Sequence, residues 1–83
     1  MKVRLLFFAS LKDIVGSRDL RLDLPANSTV GDLLTELEKS YPQMKAYRPV
    51  ILTAVNEEYV DKSASISEGD EIAIFPPVSG GAR

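Results

Sequence analysis

The chain has 83 residues, 45% hydrophobic and 27% charged, with 10 Lys+Arg against 12 Asp+Glu and a formal net charge of −2. This length supports one domain with one modest core, and the singly scattered cations lack the basic stripe of a nucleic-acid binder. There is no Cys, His or Trp, which excludes disulfides, thiolate nucleophiles, zinc–thiolate sites and any side chain that titrates unperturbed near neutrality; intrinsic catalysis is disfavoured, and no metal or intrinsically bound cofactor is expected.

Met1–Arg4 followed by Leu5–Ala9 has the outline of a signal peptide. The apolar run ends at Leu11, however, and Lys12-Asp13 follows with no small-residue cleavage site. No stretch approaches the ~20 apolar residues of a membrane span. A cytoplasmic protein is expected.

Residues 2 to 9 read as a strand with Val3, Leu5 and Phe7 on one face and Arg4, Leu6 and Phe8 on the other. Ser10 to Val15 can form one loose helical turn that Gly16 ends. Leu20, Leu22 and Leu24 alternate with Arg21 and Asp23, a half-buried strand closed by Pro25 and paired with the first as an antiparallel hairpin. Thr29 is a good N-cap with Asp32 three residues on, a short-armed capping box. Val30, Leu33, Leu34 and Leu37 follow the stripe of an amphipathic helix, and Pro42 stops it near Ser40.

A loop carrying Tyr47 and Pro49 leads to the apolar run Val50–Val55, read as a central strand covered at least partly on both faces. Asn56-Glu57-Glu58 is a turn, Tyr59-Val60 begins a short strand, and Ser67-Glu68-Gly69-Asp70 is another turn. Glu71–Phe75 is the last strand, stopped by Pro76-Pro77. Strands around a single helix predict an α+β domain, a mixed sheet of four to five strands with one main helix on one face. The domain is expected over residues 1–76, with 77–83 a flexible tail carrying Gly80-Gly81. One helix covers one sheet face, so Leu6, Phe8, Ala73 and Phe75 are left on the other, a surface suited to docking a partner unless loops cover it.

These residues resemble a known family. Leu5-Leu6-Phe7-Phe8-Ala9-Ser10-Leu11 with Gly16, Leu24-Pro25, Thr29-Val30-Gly31-Asp32-Leu33-Leu34, Ala54–Val60, Gly69–Ala73 and Phe75-Pro76-Pro77-Val78-Ser79-Gly80-Gly81 are similar, in order, to the small subunit of molybdopterin synthase, a sulfur carrier of the MoaD/ThiS type. The resemblance spans residues 3 to 81, and its ending is its most specific part. It implies a ubiquitin-like β-grasp and a terminal glycine, here Gly81 after Gly80, that an E1-like adenylyltransferase activates with ATP. The acyl-adenylate becomes a thiocarboxylate, which the large synthase subunit uses to build the pyranopterin dithiolene. A heterotetramer with that subunit is implied, and partner binding falls to Phe8, Tyr59, Phe75, Pro76, Pro77 and Val78.

The residue types suit that chemistry. A carboxylate is a poor electrophile until adenylation supplies a leaving group. Pro76 to Gly81 spans at most roughly 20 Å when extended, the prolines hold its base extended, and two residues without Cβ pass a narrow channel. Taken singly, each feature has a plainer reading: Gly-Gly is a frayed end, Pro-Pro a strand stop, Tyr59 a core-edge residue.

One departure stands out, since the family pattern closes on the second glycine and here Ala82-Arg83 follow Gly81. A protease removes them, or they reflect an atypical gene end, or this copy no longer carries sulfur. Other readings are a sulfur carrier for thiazole or thio-tRNA synthesis, a protein-conjugated modifier, or a non-reacting β-grasp interaction module.

Overall fold

In the computed structural model, which describes residues 1–77, the first hairpin forms as the alternation predicts. Strand β1 (Lys2–Phe7) pairs antiparallel with β2 (Asp19–Asp23), placing Val3 opposite Leu22 and Leu5 opposite Leu20. β1 stops at Phe7 rather than continuing to residue 9 because Ala9 takes a left-handed φ of 52°, which turns the chain out of the strand. The next segment is a helix, α1 (Ala9–Val15), in place of the loose turn expected. Gly16 closes it at φ 83°, donating its N–H to the Lys12 carbonyl. A residue without Cβ adopts that left-handed cap with little strain.

The main helix α2 (Val30–Ser40) starts as the sequence predicts. Asp32 N–H donates to Thr29 Oγ1 at 3.2 Å and Thr29 N–H donates to Asp32 Oδ2 at 2.9 Å, completing the capping box. Val30, Leu33, Leu34 and Leu37 are all buried. The segment after Pro42, read from the sequence as loop, forms a 3₁₀ helix (Pro42–Tyr47) that drives Met44 into the core. Arg48 ties this segment back to α2, donating to Glu38 Oε2 at 3.0 Å and to the Gly31 carbonyl at 3.2 Å.

Strand β3 (Leu52–Val55) begins two residues later than the apolar run suggested. Val50 precedes it, and strand alternation turns Leu52 outward, so the two stay 49% and 43% exposed rather than covered. A two-residue turn, Asn56-Glu57, has both residues at positive φ (50° and 74°) and leads into β4 (Glu58–Val60). That backbone matches the twist of a tight hairpin. Strand β5 (Glu71–Phe75) lies between β1, to which it is parallel, and β3, to which it is antiparallel. The five-stranded order is β2-β1-β5-β3-β4, so the expected α+β architecture with a mixed sheet and one main helix is observed, as a ubiquitin-like β-grasp.

Val3, Leu5, Phe7, Ile72 and Ile74 point from the sheet into one core with the α2 leucines. Leu11 of α1 and Met44 join the same core. Each large side chain removed from water there stabilises the fold by about 1.5–3 kcal/mol. Both additional helical segments therefore pack on the face that α2 already covers. Among the described residues no helix lies over the opposite face, and none is long and apolar enough to cross a membrane. The expectations for Val78, Gly80, Gly81 and Ala82-Arg83 lie outside the described residues.

Candidate functional site

The pleat sends every second residue of each strand away from the core. Register then builds a row across four strands: Leu6 beside Ala73, Ala73 beside Ala54, and Ala54 beside Tyr59. Next to it Phe75 lies beside Leu52. Phe8, just past β1, folds onto Phe75 with ring centroids 4.6 Å apart and 16° between planes. Tyr59 meets Phe75 from the other direction at 6.0 Å and 46°. The three aromatic residues singled out in the sequence are therefore brought into one continuous patch. Phe8 and Phe75 are half-buried, while Tyr59 is 71% exposed. That exposure removes the alternative of Tyr59 as a core-edge residue.

A polar row bounds the patch toward the start of β1. Arg4 Nη2 and Nε donate to Asp19 Oδ2 at 2.7 and 3.0 Å, and Nη1 donates to Glu71 Oε2 at 3.2 Å. The hydrogen bond from Arg4 holds the Asp19 carboxyl below the usual carboxylate range, with the charges of Arg4 and Arg21 adding to it. Asp19 in turn raises the Arg4 guanidinium. Beyond this row a hollow of about 530 Å³ is lined by Lys2, Arg4, Arg21, Asp23 and Glu68 among others. Its charges are of both signs.

Two residues of the patch were missed in the sequence. Leu52 was absorbed into a strand read as covered on both faces, although strict alternation from Ala54 would have found it. Arg18, whose Cζ stands 5.6 Å from the Phe8 ring centroid, gave no local signal, because only the hairpin brings it there. Pro76 and Pro77 follow Phe75 directly, the first half-buried and the second exposed. The patch thus lies at the root of the segment that leads to Gly80-Gly81. It holds no thiol or imidazole, and among the described residues no three acidic, thiol or imidazole groups cluster closely enough to hold a metal ion. What the arrangement can do is bind an apolar surface and present the segment beyond Pro77 to it.

The model of the ThiS family matches residues 5–81. A molybdopterin synthase sulfur carrier subunit from Dictyostelium discoideum is 43% identical over 81 residues, covering 94% of this chain and 94% of that protein. The one from Arabidopsis thaliana is 38% identical over 81 residues, covering 98% of this chain and 84% of the relative. Among solved structures, SAMP1 from Haloferax volcanii, a small archaeal modifier protein, superposes with a TM-score of 0.85 at 32% identity, covering 98% of this chain and 100% of the other.

Proposed function

This chain belongs to the ThiS family, and from that premise we propose that it works as the sulfur carrier subunit of molybdopterin synthase in molybdenum cofactor biosynthesis. The observation that carries the reading is the near full-length similarity to sulfur carrier subunits of that name. The family match itself runs through the glycine pair to Gly81.

In this reading the chain is a carrier with no catalytic group of its own. The apolar face of Phe8, Tyr59 and Phe75 seats on a cytoplasmic partner, first an E1-like adenylyltransferase and then the large synthase subunit. Pro76, Pro77 and Val78 lead the tail into the partner. ATP is consumed by the activating partner: a carboxylate oxygen of Gly81 attacks the α-phosphorus and pyrophosphate leaves. A sulfur nucleophile at the oxidation level of sulfide then attacks the Gly81 carbonyl carbon and displaces AMP, leaving a thiocarboxylate. Because Ala82 follows Gly81, the Gly81–Ala82 peptide bond must first be hydrolysed.

The direct test is intact mass spectrometry of the chain recovered from its own cells and after incubation with the adenylyltransferase, ATP and a sulfur donor. The expected product ends at Gly81 and gains the mass of one sulfur in place of one oxygen. A chain that keeps Ala82 and resists ATP-dependent activation contradicts the reading. The close superposition with SAMP1 favours one further role, conjugation of Gly81 to lysines of other proteins. Adducts of this chain that survive denaturation in cell extract would establish it.

A further inference from the structure

Arg18 is held at its base and loaded at its tip. Its carbonyl accepts the Phe7 N–H at 2.9 Å, pinning residue 18 to the end of β1, and its guanidinium carbon stands 5.6 Å from the Phe8 ring centroid. The other cation closest to this row, Arg4, is neutralised by Asp19 and Glu71. Among the described residues the Arg18 guanidinium has neither a carboxylate nor a hydrogen-bond acceptor. In water that costs little. Any surface that covers Phe8 also covers Arg18, though, and a guanidinium taken out of water without an acceptor is strongly destabilising. Over an aromatic face the same cation is held more tightly once desolvated.

We infer that Arg18 is the specificity-determining cation of the docking face, and that the partner seated on Phe8 and Phe75 carries a carboxylate at the edge of its own apolar surface to meet it. The inference rests on the reading of that face as the docking surface. The carboxylate supplies the missing acceptor and steers the encounter. An apolar or basic surface of the same shape is rejected, because it leaves the guanidinium unpaired or repels it.

The test measures association and dissociation rates of the full chain and its variants with the molybdopterin synthase large subunit of the same organism, at low and high salt. Arg18→Glu is expected to slow association by about tenfold or more at low salt, with the gap closing as salt screens the charges. Arg18→Lys is expected to keep the association rate and dissociate several-fold faster, since an ammonium lacks the planar fork that stacks and pairs. Unfolding midpoints of both variants are expected to match the parent; if Arg18→Glu lowers its midpoint, the charge-preserving Arg18→Lys carries the test through its dissociation rate. Wild-type rates for both Arg18 variants, together with lost binding in Phe75→Ala, overturn the role of Arg18 and leave the docking face standing. Wild-type binding by Phe75→Ala overturns the face itself.

Discussion

Phe8 and Phe75 stack at 4.6 Å although they lie at opposite ends of the sequence. Phe8 follows β1 and Phe75 ends β5, and these two strands run parallel and adjacent, so both segments leave the sheet at the same end. One leaves into α1 and the other into Pro76-Pro77. The stack therefore fixes where the tail departs relative to the apolar face, and whatever docks on the rings meets the root of the tail.

Replacing Phe75 with Ala separates docking from folding. The ring is half-buried, so its loss is expected to lower stability by roughly 1–2 kcal/mol. Its loss from the centre of an interface is expected to cost more than about 2 kcal/mol of binding, some 30-fold in Kd. Calorimetry against the large synthase subunit, beside a thermal melt of the free variant, reads both. A variant that melts at the parental temperature and binds with parental affinity would remove the patch from consideration.

Glu57 offers a stabilising change. It sits at the second position of the β3–β4 turn with φ 74°, a conformation that costs a residue with a Cβ about 1–2 kcal/mol. Glycine after asparagine is the favoured pair in such turns. Glu57→Gly is expected to raise stability in urea unfolding by about 1 kcal/mol, less the entropy that glycine adds to the unfolded chain. A lower midpoint would show that the turn is not held as described.

Thr29→Ala removes the hydroxyl that accepts the Asp32 N–H and leaves Asp32 as the one remaining side of the capping box. The expected loss is about 1 kcal/mol. For a domain of this size that lowers Tm by roughly 4–8 °C. Thr29→Ser keeps the oxygen and is expected to retain most of the parental value.

Acid should weaken the fold through Asp19 and Asp61. Arg4 lowers the first carboxyl by hydrogen bonding, and Ser63 lowers the second. Each group takes up a proton more readily in the unfolded chain, where a carboxyl titrates near ~3.9. Their stabilisation is thus fully present above that value and is lost as pH falls through the lower folded values. Arg4→Met returns Asp19 toward its ordinary range, so its unfolding midpoint should fall less between pH 5 and pH 2 than the parent's. Both carboxyls are exposed and screened, and the difference is expected to be small. A steeper fall in Arg4→Met would contradict the assignment.

Local signals in the sequence carried much of the fold. The alternation of Leu20, Leu22 and Leu24, the stripe of Val30, Leu33, Leu34 and Leu37, and the Thr29–Asp32 pair each act within a few residues of themselves, and each appears in the structure where it was read. The misreadings have local causes too. The 3₁₀ helix at Pro42–Tyr47 is too short to show a period and is held by Met44 packing and by Arg48 reaching α2. The run Val50–Val55 hid the outward Leu52, because a continuous apolar stretch does not reveal its own phase.

By itself the sequence determined the strands, the main helix with its buried stripe and the glycine pair that marks the family, because periodicity, capping and turn chemistry are short-range; Leu11 and Met44 join the core only in the folded structure. Only the tertiary structure decided that β5 enters between β1 and β3, since strand order depends on long-range hydrogen bonding between segments whose loops close at little extra cost with length. That insertion is what lays Phe75 on Phe8 and brings Tyr59 beside them, while the β1–β2 hairpin sets Arg18 over the Phe8 ring without a carboxylate among the described residues.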